Sequence, residues 1–149
     1  MKTILFLCTG NYYRSRYAEE LFNNHAVRGG FSWAARSRGL AIERGVHNIG
    51  PLSPFALAAL TERGLIARGG ERLPRQCAAA DLEAATHIVA LSESEHRPLM
   101  RARFPEWESR VEYWEVADVE ITPPQIALGA IDGRIDSLLD RLHLPRNLK

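Results

Sequence analysis

The run Met1–Leu7 (MKTILFL) is nearly all apolar after Lys2, and it is only seven residues long. A run that short, without polar alternation, reads as a strand buried on both faces. The chain then supplies helices to bury it. Tyr17, Ala18, Leu21, Phe22 and Ala26 recur at helical spacing, and the glycines of "RGG" (28–30) end that helix. "FSWAARS" (31–37) reads as a second strand, and "IGPLSP" (49–54) as a loop. Ser53-Pro54 is a cap and first-turn signature, with Gly64 as the stop. The polar, glycine-rich "IARGGERLPRQ" (66–76) is a surface connection. A short helix near Ala78–Ala85 leads into the apolar strand "HIVALS" (87–92). Ser92 with Glu95 fits a capping box for a helix through about Arg103. "VEYWEV" (111–116) is a fourth strand. Thr122-Pro123 opens a last helix whose apolar stripe is Ile126, Ala130, Ile131, Ile135, Leu138, Leu139 and Leu142. Strands alternating with helices predict a parallel sheet wrapped on both faces, with right-handed crossovers. No repeat, low-complexity tract or linker interrupts the pattern, so residues 1–149 are expected to form a single α/β domain.

Composition narrows the function classes. A chain of 149 residues can bury a real core without staples. With 46% hydrophobic and 25% charged residues it resembles neither a disordered nor a membrane protein. A net charge of +1 gives no global field for nucleic acid or anionic lipid, so any anion site must be local. No apolar run approaches the roughly 18 residues of a membrane span. "ILFL" is too short for a signal-peptide core and lacks a small-residue cleavage pattern, which points to the cytoplasm. Cys8 and Cys77 make no disulfide framework and are expected as thiols. Five histidines without a Cys/His cluster argue against a structural zinc, and no metal or cofactor is expected.

The chemistry concentrates in "FLCTGNYYRS" (6–15), where the first strand runs into the first helix. Two readings of Cys8 compete: a small buried hydrophobe closing a strand, or a nucleophile in a loop that holds an oxyanion. In open α/β sheets ligands sit at the carboxyl ends of strands. There the backbone N–H groups of Thr9, Gly10, Asn11, Tyr12, Tyr13, Arg14 and Ser15 can converge on one anion, backed by the positive helix end. Gly10 lets the chain pass close to that anion, and Asn11 tolerates a left-handed conformation. Arg14 offers a planar fork to two phosphate oxygens. The same field favours a thiolate at Cys8, and the Ser15 hydroxyl can donate to its sulfur. Spacing alone is weak evidence; its place between a buried strand and an amphipathic helix makes the nucleophile the stronger reading.

"CTGNYYRSRYAE" resembles the phosphate-binding loop of the low-molecular-weight protein tyrosine phosphatases. Supporting matches follow in order: "SRGL" after the second strand, "RQ" at 75–76 before "DLEAATHIVAL", and "EVAD" after the fourth strand. They extend the resemblance over about residues 3 to 142. It implies a three-layer fold with a four-stranded parallel sheet in the order 2-1-3-4. It also implies Asp118 as general acid, with Glu115 and Glu120 as fallbacks. Asn11 and Ser37 resemble a pair that holds the loop in shape, with Ser15 and Ser37 supporting it from behind. Several positions depart from the family pattern. The acid is followed by Val119 rather than proline, and by "EITPP" in place of aromatic residues. Tyr13 stands where a second cysteine is common, Ser92 where aspartate is, and Arg72 where histidine is. Tyr12 and Tyr13 are candidates to line the pocket and stack on an aryl ester, or else to pack on a neighbouring loop. Arg16, Arg36 and Arg38 either raise the local positive potential or are surface arginines. Trp33, Trp107 and Trp114 are core or rim.

The resemblance implies a metal-independent phosphatase in which Cys8 attacks phosphorus and Asp118 protonates the leaving group. The expected substrate is a phosphorylated protein, through phosphotyrosine, or a small aryl phosphate, with inorganic phosphate as product. The alternatives are an arsenate reductase-like thiol oxidoreductase, for which Cys77 alone is a poor relay, and a module that binds phosphate without turnover. No nucleic acid or membrane partner is expected, and no motif indicates an oligomeric state.

Overall fold

The structure, a computed structural model, describes residues 1–146 and 148. The first apolar run becomes β1 (Lys2–Cys8), and it lies inside the sheet. It pairs in parallel with β2 (Trp33–Gly39) on one side and β3 (His87–Ala90) on the other. β4 (Glu112–Tyr113) pairs in parallel with β3, giving the order β2-β1-β3-β4.

The strand's period of two explains why it needs two apolar layers. Ile4, Phe6 and Cys8 join one core, with Ala35, Val89 and Leu91. Leu5 and Leu7 join a second, with Ile88 and Ala90. The first core is closed by α1 (Arg14–Gly29), α2 (Pro54–Glu62) and α5 (Pro124–Arg141). The second is closed by α3 (Ala79–Ala84) and α4 (Glu93–Arg103). Two short 3₁₀ segments, Ile42–Gly45 and Pro105–Arg110, complete the connections. No helix among the described residues is long and apolar enough to cross a membrane.

Three expectations change at the edges of elements. α1 starts at Arg14, so Arg14 and Ser15 sit in its first turn and not in the loop before it. β4 keeps only two residues of the expected 111–116. Beyond them the chain still runs beside β3, Trp114 N–H donating to Ala90 O and Val116 N–H to Leu91 O, but it leaves the ladder where Glu115 turns to the start of α4. α5 begins at Pro124, and Thr122 does not cap it: its N–H donates to Asp118 O, which makes it part of the Asp118 turn. The buried stripe is therefore Ala127, Leu128, Ile131, Ile135, Leu138 and Leu139. Ile126 is 64% exposed, because packing on α1 and α2 sets the helix's rotation. A fully buried aliphatic side chain of this kind contributes about 1.5–3 kcal/mol, so the phase is fixed by which residues face those two helices.

Candidate active site

Cys8 ends β1, and residues 9–13 carry the chain over the sheet's carboxyl edge into α1. β1 has neighbours on both sides, and the helices that follow β1 and β3 lie on opposite faces of the sheet, which is the switch point where such sheets bind ligands. The left-handed residue of the loop is Asn11, with φ 52°, and not Gly10. Asn11 is fully buried, and its amide is saturated. Nδ2 donates to Ser15 Oγ (3.0 Å) and Ser37 Oγ (2.9 Å). Oδ1 accepts from the Arg72 guanidinium (3.1 Å) and from Arg75 N–H (3.0 Å). Ser37 Oγ also accepts from Arg72 (2.9 Å) and donates to Glu19 (2.8 Å). Arg72 thus stands where the resemblance leads one to expect a histidine, and its planar fork reaches Asn11, Ser37 and Glu19 together.

The loop spends its carbonyls outward. Cys8, Thr9 and Tyr12 accept from Leu40, Ala41 and Ser53 N–H at 2.8, 3.0 and 2.9 Å. Among the described residues, no N–H from Thr9 to Ser15 donates to a side chain or to a carbonyl outside the regular ladders. Unspent main-chain donors beside a helix start favour an anion. Cys8 is 3% exposed, and its Sγ lies 2.9 Å from Ser15 Oγ. Ser15 Oγ already accepts from Asn11, so its own proton is free for the sulfur. Cys8 lines a pocket of about 260 Å³ together with Tyr12, Tyr13, Arg14, Phe55, Asp118 and Glu120, and with Gly10, Asn48, Ser53, Pro54 and Val119.

Arg14 brings in a residue that spacing did not reveal. Its Nη1 donates to Glu95 Oε1 (3.1 Å) and to Val116 O (2.9 Å), and its Nη2 to Glu95 Oε2 (2.7 Å). Glu95 also accepts from Thr9 Oγ1 and faces His96 Nε2 at 3.0 Å. His96 Nδ1 accepts from Ser92 N–H (3.0 Å), so the neutral ring carries its proton on Nε2 and donates there. Burial, reinforced by the nearby Arg14 charge, pushes the His96 pKa down. Burial pushes Glu95 up, yet the bonds from His96 and Arg14 outweigh it and hold its carboxyl far below the usual range. The expected capping box is only half formed: Ser92 Oγ accepts from Glu95 N–H (3.3 Å), but the Glu95 side chain reaches Arg14 and not Ser92 N–H.

That geometry makes a prediction. Glu95→Gln keeps the shape but removes the charge opposite a 2% exposed guanidinium. Loss of one charge-assisted bond costs about 1.5–3 kcal/mol, and the melting temperature of the ligand-free protein is expected to fall accordingly. Saturating phosphate supplies a replacement counter-charge and should shrink the difference from wild type. Thermal melts with and without phosphate check this; an equal loss in both would detach Glu95 from the anion site.

The other expected residues divide. Asp118 lines the pocket with Oδ2 3.6 Å from Arg14 Nη2, while Oδ1 accepts from Val119 N–H (2.8 Å). Glu120 shares that wall, whereas Glu115 is committed to Ser92 and Ser94 at the start of α4. Tyr12 lines the pocket and its hydroxyl is tied to Ile49 O (2.6 Å), so it packs on the neighbouring loop as well. The Tyr13 ring is buried in the first core and is not presented as a stacking face. None of the three arginines joins the pocket wall. Arg16 is fully buried and donates to Pro51 O and Gly69 O, Arg38 pairs with Asp81, and Arg36 lies on the far surface. Trp114 packs against Phe6, and Trp33 and Trp107 lie at the edges of the two cores. Cys77 belongs to the second core, across the sheet from Cys8, and burial pushes its thiol up to about 12. Among the described residues, no group of three or more His, Cys, Asp or Glu is placed to hold a metal ion.

Comparison with known proteins agrees with this geometry. The family model for low molecular weight phosphotyrosine protein phosphatase matches residues 3–124. No curated protein matches. Among solved structures, a low molecular weight protein tyrosine phosphatase from T. tengcongensis is 25% identical with a TM-score of 0.79, over 95% of this chain and 99% of its own. YfkJ from Bacillus subtilis is 24% identical with a TM-score of 0.82, over 96% and 95%. The YwlE arginine phosphatase from Geobacillus stearothermophilus is 26% identical with a TM-score of 0.69, over 95% and 90%.

Proposed function

This chain belongs to the low molecular weight phosphotyrosine protein phosphatase family and is a phosphatase of that type, and from that premise we propose that it hydrolyses phosphotyrosine in proteins through a phosphocysteine. The observation that carries this reading is the meeting of Cys8, Arg14 and Asp118 in one pocket above an amide-rich loop. The Cys8 thiolate attacks phosphorus in line, forming the S–P bond as the P–O bond to the tyrosine breaks. Asp118 delivers its proton to the departing phenol oxygen. A water then attacks phosphorus, giving its proton to Asp118, and the S–P bond breaks to release inorganic phosphate and the thiolate. The loop amides and Arg14 hold the equatorial oxygens throughout. Ser15 supports the sulfur as a leaving group. No step calls for a metal. A thiol that must stay reduced suits the cytoplasm. Cys77, packed on the other face of the sheet, offers no relay for thiol redox chemistry.

The tyrosine assignment is supported by the lining: the aromatic side chains of Tyr12 and Phe55 share the pocket with Cys8, itself only 3% exposed. Because a related structure is an arginine phosphatase, the test must separate a phosphate ester from a phosphoramidate. With EDTA present, the full chain is expected to turn over 4-nitrophenyl phosphate undiminished. Its kcat/KM for a phosphotyrosine peptide should exceed that for a phosphoarginine peptide by about tenfold or more. Preference for phosphoarginine would overturn the substrate, and inactivity on all three the reading itself.

A further inference from the structure

Tyr13 sits between the nucleophile and the arginine, and its side chain is used oddly. The residue is 5% exposed, with its ring in the core that holds Cys8 and Tyr17. Its hydroxyl is fully buried and has no hydrogen-bond partner among the described residues. Tyr17, one helical turn on, shows the ordinary solution: equally deep, its hydroxyl donates to Asp132 Oδ1 (2.5 Å). Native proteins rarely bury a hydroxyl unpaired, and each case calls for a reason. The reason lies beside it, since Tyr13 lines the same pocket as Cys8, Arg14 and Asp118. A phenylalanine would fill the core without the cost of a stranded hydroxyl.

We propose that the Tyr13 hydroxyl, closed off in the ligand-free protein, turns into the pocket on substrate binding and is a catalytic donor that hydrogen-bonds a phosphoryl oxygen, its missing partner being the ligand itself. This rests on the reading of the pocket as a phosphate-ester site. Burial, with the charge of Asp118 adding to it, pushes the phenol up to about 12, so it keeps its proton and acts only as a donor. The contact adds a side-chain donor to a loop whose other donors are amides and one guanidinium. A neutral donor aimed at a dianion works as an oxyanion-hole group does.

Tyr13→Phe tests this in the full chain, beside Tyr17→Phe, with binding of inorganic phosphate as the readout. Tyr13→Phe should melt at or above the wild-type temperature without ligand, because it removes an unpaired hydroxyl and keeps the ring. Its affinity for phosphate should fall about tenfold to a hundredfold, the usual loss for a bond to a charged group. Tyr17→Phe should show the reverse: a lower melting temperature and unchanged phosphate affinity. Wild-type phosphate affinity in Tyr13→Phe, or a ligand-free melting loss like that of Tyr17→Phe, would overturn the proposal. Since the readout is binding, a wild-type protein that holds phosphate without hydrolysing esters would sink the phosphatase reading and leave this test intact.

Discussion

Cys8→Ser is expected to abolish phosphatase turnover, by more than about 10⁴-fold, while the protein still folds and still binds phosphate or vanadate. The substitution exchanges one atom at a 3% exposed position, so packing changes little. What it removes is specific. A serine hydroxyl stays protonated where a thiol can ionise, and the side chain that touches residue 8, Ser15, is a donor and not a base. What it leaves is the cradle: Asn11 with its four bonds, the outward carbonyls, the loop amides, and Arg14 held by Glu95. A phosphate-induced rise in melting temperature should therefore survive in the serine variant. Activity above about a hundredth of wild type would end the covalent mechanism, since losing a nucleophile should cost more than one acid–base contribution of roughly 10²–10⁴.

Much of this arrangement is legible in the chain because it is local. The strand, the loop and the helix around Cys8 are continuous in sequence, and each is set by its own residues: an apolar run, a left-handed asparagine, an amphipathic repeat. What spacing does not show is what reaches the site from elsewhere. Glu95 reads as the return partner of a capping box, three residues after Ser92. Only the fold shows that His96 takes Ser92 N–H and frees Glu95 to back Arg14. Ser92 has no carboxylate, and the one that faces the arginine is Glu95, one helical turn later. Arg16 looks like a surface charge, yet it is buried because Pro51 and Gly69 offer it carbonyls from distant loops. Tyr13 invites a stacking role from its place in the loop, whereas burial turns its ring inward. For Glu95 and Arg16 the residue type is plain and the partner is not, since partners 30 or more residues apart leave no periodic signal.

The proposed proton donor lies where the chain departs from the family pattern, with Val119 in place of proline, and Asp118→Asn tests it. Asparagine keeps the volume and still accepts Val119 N–H through Oδ1, so the turn that presents residue 118 is preserved. It has no proton to give to a departing oxygen. Turnover of phenyl phosphate, whose leaving oxygen is strongly basic, should fall by about 10²–10⁴. A dinitrophenyl phosphate, whose leaving group departs with little protonation, should lose far less. The contrast between the two substrates is diagnostic, because a misfolded or tilted loop would depress both alike. The missing proline after Asp118 sharpens the question. Here the turn is held instead by Ile121 and Thr122 N–H groups donating to Asp118 O, both at 3.0 Å. If those two bonds fix the carboxylate as a proline would, the contrast appears at full size. Equal losses on both substrates would take Asp118 out of the mechanism and move the search to Glu120, two residues on along the same pocket wall.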